Sequence, residues 1–76
     1  MRAISGKEFA RILERNGWLL MRIQGSHHIY CKQGSPLRLS IPIHRNQTLK
    51  VGLVRDLMKK ANLREEDFQG VTGSPR

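Results

Sequence analysis

Gly25-Ser26-His27-His28-Ile29-Tyr30-Cys31-Lys32-Gln33-Gly34-Ser35-Pro36-Leu37-Arg38-Leu39-Ser40-Ile41 is the stretch on which the fold of this chain turns. Two groups of turn-forming residues, Gln24-Gly25-Ser26 and Gln33-Gly34-Ser35-Pro36, bracket a strand from about His27 to Gln33. Beyond the second turn, Leu37-Arg38-Leu39-Ser40-Ile41 alternates with period two. That period turns Leu37, Leu39 and Ile41 toward a core and leaves Arg38 and Ser40 to solvent. Before the first turn, Trp18 to Gln24 is a run of apolar and branched residues and reads as another strand. Links this short join antiparallel neighbours, so the strands form a meander. Pro42 has no amide hydrogen to donate, and it ends the last strand or places it at an edge.

A helix flanks this meander on each side. Ser5-Gly6-Lys7-Glu8 is a capping box, in which the Ser hydroxyl accepts from the Glu8 amide and the Glu carboxylate from the Ser5 amide. Phe9, Ile12, Leu13 and Asn16 follow at helical spacing, with Arg11, Glu14 and Arg15 turned away, and Asn16-Gly17 closes the helix. A polar loop from Ile43 to Thr48 carries His44, Arg45 and Asn46. The second helix spans about Val51 to Ala61, with Val51, Val54, Leu57, Met58 and Ala61 on one side and Arg55, Lys59 and Lys60 on the other. Asn62 suits its C-terminal cap. Arg64-Glu65-Glu66-Asp67-Phe68 reads as one more turn, with Phe68 folding back onto the core. Residues 70–76 are rich in Gly, Ser and Pro and read as a flexible tail, leaving 1–69 as one domain. The order predicts an α+β fold, helix–three-stranded antiparallel sheet–helix, with both helices on one face. The double-stranded-RNA-binding domain has this arrangement, although a fold does not settle function.

Composition narrows the partners. Net charge is +8, and from Arg15 to Arg55 there are seven Lys or Arg residues and no Asp or Glu. A membrane-surface helix gathers such charge on one polar face, whereas here it is spread over helices and strands, which favours nucleic acid. No apolar run approaches the ~18 residues of a membrane span, and the start of the chain lacks the apolar core of a secretory signal. The single Cys31 excludes an internal disulfide, reads as a small apolar strand residue, and fits a cytoplasmic setting. Hard cations want clustered carboxylates. Glu8 and Glu14 lie on the first helix, Asp56 on the second, and Glu65, Glu66 and Asp67 in the terminal turn. Neither a metal nor another cofactor is expected.

Histidine is the side chain that exchanges protons near neutral pH, and His27 and His28 stand side by side in the basic surround. The pattern suggests acid–base chemistry on a polyanion. Neighbours on a strand point to opposite faces, so only one of the two meets substrate. Alternation extended back from Ile29 and Cys31 places His27 toward the helices, and a structural histidine is the ordinary reading of either taken alone. Ser26 is placed to orient the imidazole or a phosphate, and His44 to act as a partner acid or phosphate contact. Arg22, Lys32, Arg38, Lys50 and Arg55 are the candidate phosphate contacts. Trp18 is expected to be buried rather than stacked on a base.

Asn16-Gly17-Trp18, Arg22, Gly25-Ser26-His27-His28-Ile29-Tyr30, Ile41-Pro42-Ile43-His44, Leu49-Lys50-Val51-Gly52 and Lys60-Ala61-Asn62-Leu63 together resemble HicA-type toxins (the YcfA-like family) of bacterial toxin-antitoxin pairs. The resemblance covers roughly residues 5 to 68. Leu53 stands where many relatives carry Thr, and Asn62 where they often have Gly. What the resemblance implies is a small endoribonuclease of double-stranded-RNA-binding-domain-like fold that cleaves mRNA and stops translation, monomeric when free. Its partner would be a HicB-type antitoxin covering the active site. The family's essential histidine, in its Gly-Ser-His motif, is matched by His27, with His28 the second candidate. The alternative reading is a non-catalytic RNA-binding module of the same fold.

Overall fold

The computed structural model describes residues 3–68. The elements run α1 (Gly6–Arg15), β1 (Leu19–Gln24), β2 (His27–Cys31), β3 (Arg38–Pro42), α2 (Val51–Ala61) and a short 3-10 turn (Glu65–Phe68). The sheet is an antiparallel meander in the order β1-β2-β3. This is the α+β arrangement of a double-stranded-RNA-binding domain. The expected tail over residues 70–76 lies outside the described residues.

Local chemistry sets the helix ends. At α1 the Glu8 amide donates to Ser5 Oγ at 3.1 Å and the Ser5 amide to Glu8 Oε1 at 3.0 Å, which completes the capping box. The other end closes through Gly17, whose φ of +92° lets the Trp18 amide turn back to the Leu13 carbonyl at 3.0 Å. Asn62 does the same for α2 with φ +57°, and the Leu63 amide reaches the Met58 carbonyl at 2.8 Å. Both closures follow the six-to-one pattern in which a left-handed residue satisfies carbonyls the helix leaves open.

The core lies between the helices and one face of β2 and β3. Phe9, Ile12 and Leu13 of α1 and Val54, Leu57 and Ala61 of α2 pack there with Tyr30, Leu39 and Ile41. Trp18 is buried at its edge, as expected, and Phe68 folds back onto Phe9 edge-on, with ring centroids 5.8 Å apart.

Three expectations need correction. Leu37 does not face the helices: it is 40% exposed, because the ladder ends at the Cys31–Arg38 pair and the Leu37 amide bonds locally to Ser35 Oγ. Likewise β2 stops at Cys31 rather than Gln33, since the Ser35 amide closes a turn on the Lys32 carbonyl. Val51 is 52% exposed, because α2 first becomes fully buried one turn later, at Val54. β1, though apolar in composition, is exposed along its whole length as an edge strand. Among the described residues no helix is long and apolar enough to cross a membrane.

Candidate active site

The site begins at the β1–β2 hairpin. Gln24 and His27 are paired, so the loop between them is only Gly25-Ser26. Gly25, with φ +59°, supplies the left-handed first residue that a tight hairpin turn needs. From that turn the rungs of the sheet run Gln24–His27–Pro42, Ile23–His28–Ile41, Arg22–Ile29–Ser40, Leu20–Tyr30–Leu39 and Leu19–Cys31–Arg38. Leu39 and Ile41 are buried under the helices, so the rungs they share with Tyr30 and His28 define the covered face. His27, Ile29 and Cys31 therefore occupy the open face.

That parity corrects the expectation that His27 points toward the helices. Ile29 and Cys31 look like core residues in sequence, but Tyr30 takes the core position. Tyr30 is 2% exposed, and its hydroxyl donates to Glu14 Oε2 at 2.9 Å across the sheet–helix interface. Burial, reinforced by the hydrogen bond to Glu14 and by its charge, pushes the phenol well above its ordinary pKa. With Tyr30 anchored inward, His28 must also turn inward and His27 outward, because a strand cannot slip by one residue without inverting every side chain.

A bulge sets the next feature. The register shifts between Leu20 and Arg22, leaving Met21 without a partner. The extra residue brings Arg22 opposite Ile29, onto the same open face as His27 and one same-face rung away, ~7 Å along the strand. Without the bulge Arg22 would lie opposite His28, on the covered side. Arg38 shares the open face two such rungs from His27, and its guanidinium donates to the Leu37 carbonyl at 3.2 Å.

The loop after β3 returns to this end of the sheet. Ile43 donates its amide to the Ser26 carbonyl at 2.8 Å, which ties the hairpin turn to the start of the loop. Ser26, His27, Pro42 and Ile43 are thus held together, and His44 follows directly, exposed. His44 and Lys50 open onto a cleft of about 240 Å³ whose apolar walls are Pro42, Leu49 and Leu53.

The other sequence candidates fall elsewhere. The ammonium of Lys32 sits over the Trp18 ring, 5.9 Å from its centroid, at the far end of β2 from His27. Arg55 is exposed on α2 and is not part of the cleft. His28 is half-buried with its Nδ1 enclosed and unpartnered, beside a second hollow of about 270 Å³ that Lys7, Arg11 and Glu14 help to line. His27 and His28, adjacent in sequence, are separated by the thickness of the sheet. Among the described residues no group of three or more His, Cys, Asp or Glu has a metal-holding arrangement. Sequence reasoning passed over Gln47 and Thr48, which border the His44 cleft; only their place in a polar loop marked them.

A family model for the HicA toxin of bacterial toxin-antitoxin pairs matches residues 6–63. The chain belongs to the HicA toxin family. The match runs from the first residue of α1 to the residue that closes α2, so it takes in the whole ladder and the His27 hairpin of this HicA chain. Membership makes the chain a toxin of a toxin-antitoxin pair, with a cognate antitoxin as partner. No curated protein matches it.

Proposed function

We propose that this HicA toxin is a metal-independent endoribonuclease that cleaves mRNA, stops translation and growth, and is silenced when a HicB-type antitoxin covers the open face. The observation that carries the reading is His27: exposed on the uncovered face, beside a two-residue hairpin turn, with Arg22 on the adjoining same-face rung.

RNA contains its own nucleophile. A base removes the 2′-hydroxyl proton, the oxygen attacks the adjacent phosphorus, and the bond to the 5′-oxygen breaks. An acid then returns a proton to that leaving oxygen, giving a 2′,3′-cyclic phosphate and a free 5′-hydroxyl. An imidazole with an ordinary pKa near ~6.5 suits either proton transfer, and each is worth roughly 10²–10⁴ in rate. His27 takes the base role. His44, held near by the Ser26–Ile43 hydrogen bond, is the candidate acid. Arg22 answers the charge that grows on the phosphoryl oxygens, while Arg38 and Lys50 hold flanking phosphates. Ser26 fixes the turn through its backbone, its carbonyl accepting from the Ile43 amide, and in this reading its hydroxyl orients the imidazole or a phosphate. No step needs a metal-activated water, because the nucleophile belongs to the substrate.

The test is incubation of RNA with the purified toxin in excess EDTA. Cleavage should persist and leave cyclic phosphate ends. Loss of cleavage that magnesium restores would overturn the proposal, and binding without cleavage would favour a non-catalytic RNA-binding module.

A further inference from the structure

We infer that the cleft beside His27 seats the base of the nucleotide whose phosphate meets that imidazole, and that the Gln47 amide reads the base edge. The inference rests on the nuclease reading and adds a specificity site to it.

Position is the first argument. Pro42 is both a wall of the cleft and the strand partner of His27, so the hollow opens at the hairpin end of the sheet. A base lodged there belongs to the nucleotide whose backbone runs past His27. Size is the second. At about 240 Å³ the cleft is smaller than the ~300–1,000 Å³ pockets that enclose drug-sized ligands, and it suits one planar ring system.

Chemistry is the third argument. Pro42, Leu49 and Leu53 offer apolar surface to the flat face of a base, and Gln47 and Thr48 border it with polar groups. The Gln amide carries a donor and an acceptor side by side, the pairing that base edges match. Among the described residues neither the Gln47 nor the Thr48 side chain has a hydrogen-bond partner, so both are available to a ligand. No carboxylate lines the cleft to repel the strand, and His44 and Lys50 give it cationic character.

The border is also held in shape before any ligand arrives. Arg45 adopts φ +53°, a left-handed conformation that residues with side chains rarely hold, and the backbone N–H of Gln47 closes the turn on the His44 carbonyl at 2.9 Å. Behind the turn, Thr48 bridges to Ser5, and the Leu49 amide donates to the Ile4 carbonyl at 2.8 Å. The loop is clamped to the start of α1, and its polar side chains face the hollow from a fixed frame.

Two measurements test this. In the first, the ¹⁵N-labelled His27→Ala chain is titrated with the four nucleoside 3′-monophosphates and with ribose 5-phosphate as a base-free control. The amides of residues 47–53 should shift with at least one nucleotide and not with ribose 5-phosphate, and adding Gln47→Leu should weaken that nucleotide about tenfold or more. Equal shifts from ribose 5-phosphate, or none from any nucleotide, overturn the inference. In the second, a random-sequence RNA pool is cut by the wild type and by Gln47→Leu. The ratio of favoured to disfavoured base beside the cut should fall from about tenfold or more toward unity. A wild type without base preference, or a Gln47→Leu variant that keeps it, removes the base site and leaves the nuclease reading standing. If the wild type cuts no RNA, the nuclease reading falls, and the titration alone decides whether the cleft binds a base.

Discussion

Replacing Gly6 with Ala tests how the first turn of α1 is fitted against the strand that carries His27's partner. Gly6 is buried, and a methyl group on it would overlap the Pro42 carbonyl oxygen and press on Ile43 Cγ1 at 3.1 Å. The first obstacle is backbone, so it cannot swing aside as a flexible side chain would. Forcing an extra carbon into a packed site costs ~1–3 kcal/mol, and an obstacle of this kind belongs in the upper half of that range. Ala is a better helix former than Gly by up to ~1 kcal/mol, which offsets part of the loss. The net expectation is a destabilisation of about 1–2 kcal/mol, against a total of roughly 4–11 kcal/mol for a chain of this length. At ~4–8 °C per kcal/mol, the thermal midpoint falls by roughly 5–15 °C. Circular dichroism melts and urea titrations of the two proteins supply the numbers. Because Pro42 pairs with His27, the displacement should also lower RNA cleavage at temperatures where the variant is fully folded. An unchanged or raised midpoint would show that helix propensity outweighs the clash, and that α1 does not press on Pro42.

Tyr30→Phe removes the bond to Glu14 and should cost ~0.5–1.5 kcal/mol at neutral pH by urea titration. The folded-state pKa of Tyr30 lies above its unfolded value, so its contribution is whole below ~10 and is lost as pH rises from there toward the folded value. Tyr30 is the chain's one tyrosine, so a stability difference between wild type and Tyr30→Phe that does not shrink above pH ~10 would refute the assignment. Arg22→Ala, assayed for RNA binding by fluorescence anisotropy in the His27→Ala background, should reduce the slope of log affinity against log salt by ~0.7. An unchanged slope would mean that the bulge at Met21 does not bring Arg22 to a phosphate.

Signals carried within a few residues of one another were legible in the sequence. The Ser5–Glu8 box, the Gly17 and Asn62 closures and the short turns at Gly25 and Gly34 each have a local cause, and together they give the order of elements. The packing of Phe68 was equally readable from its place after the last helix. What escaped depends on layers and parity. Leu19, Leu20, Met21 and Ile23 are apolar enough for a core strand, yet the sheet gives the buried core only Tyr30, Leu39 and Ile41 of β2 and β3, and nothing local tells an edge from a centre. In His27-His28-Ile29-Tyr30-Cys31 either alternate set contains one histidine, so hydropathy does not choose the inner face. The choice is made by Tyr30, whose hydroxyl needs the distant Glu14 to be buried at low cost. The bulge that turns Arg22 outward has no sequence mark either. The histidine motif was therefore visible as a motif, while its orientation and its cationic neighbour came only with the register.

The most direct measurement is the single-turnover cleavage rate of one RNA by the wild type and by His27→Ala, after the variant's fold and RNA affinity have been verified. The expected result is a loss of about 10²–10⁴ or more in rate with the melt and the binding curve nearly unchanged. A His27→Ala rate within about threefold of the wild type, where removal of an acid or base group should cost at least ~10², would contradict the assignment of proton transfer to that imidazole.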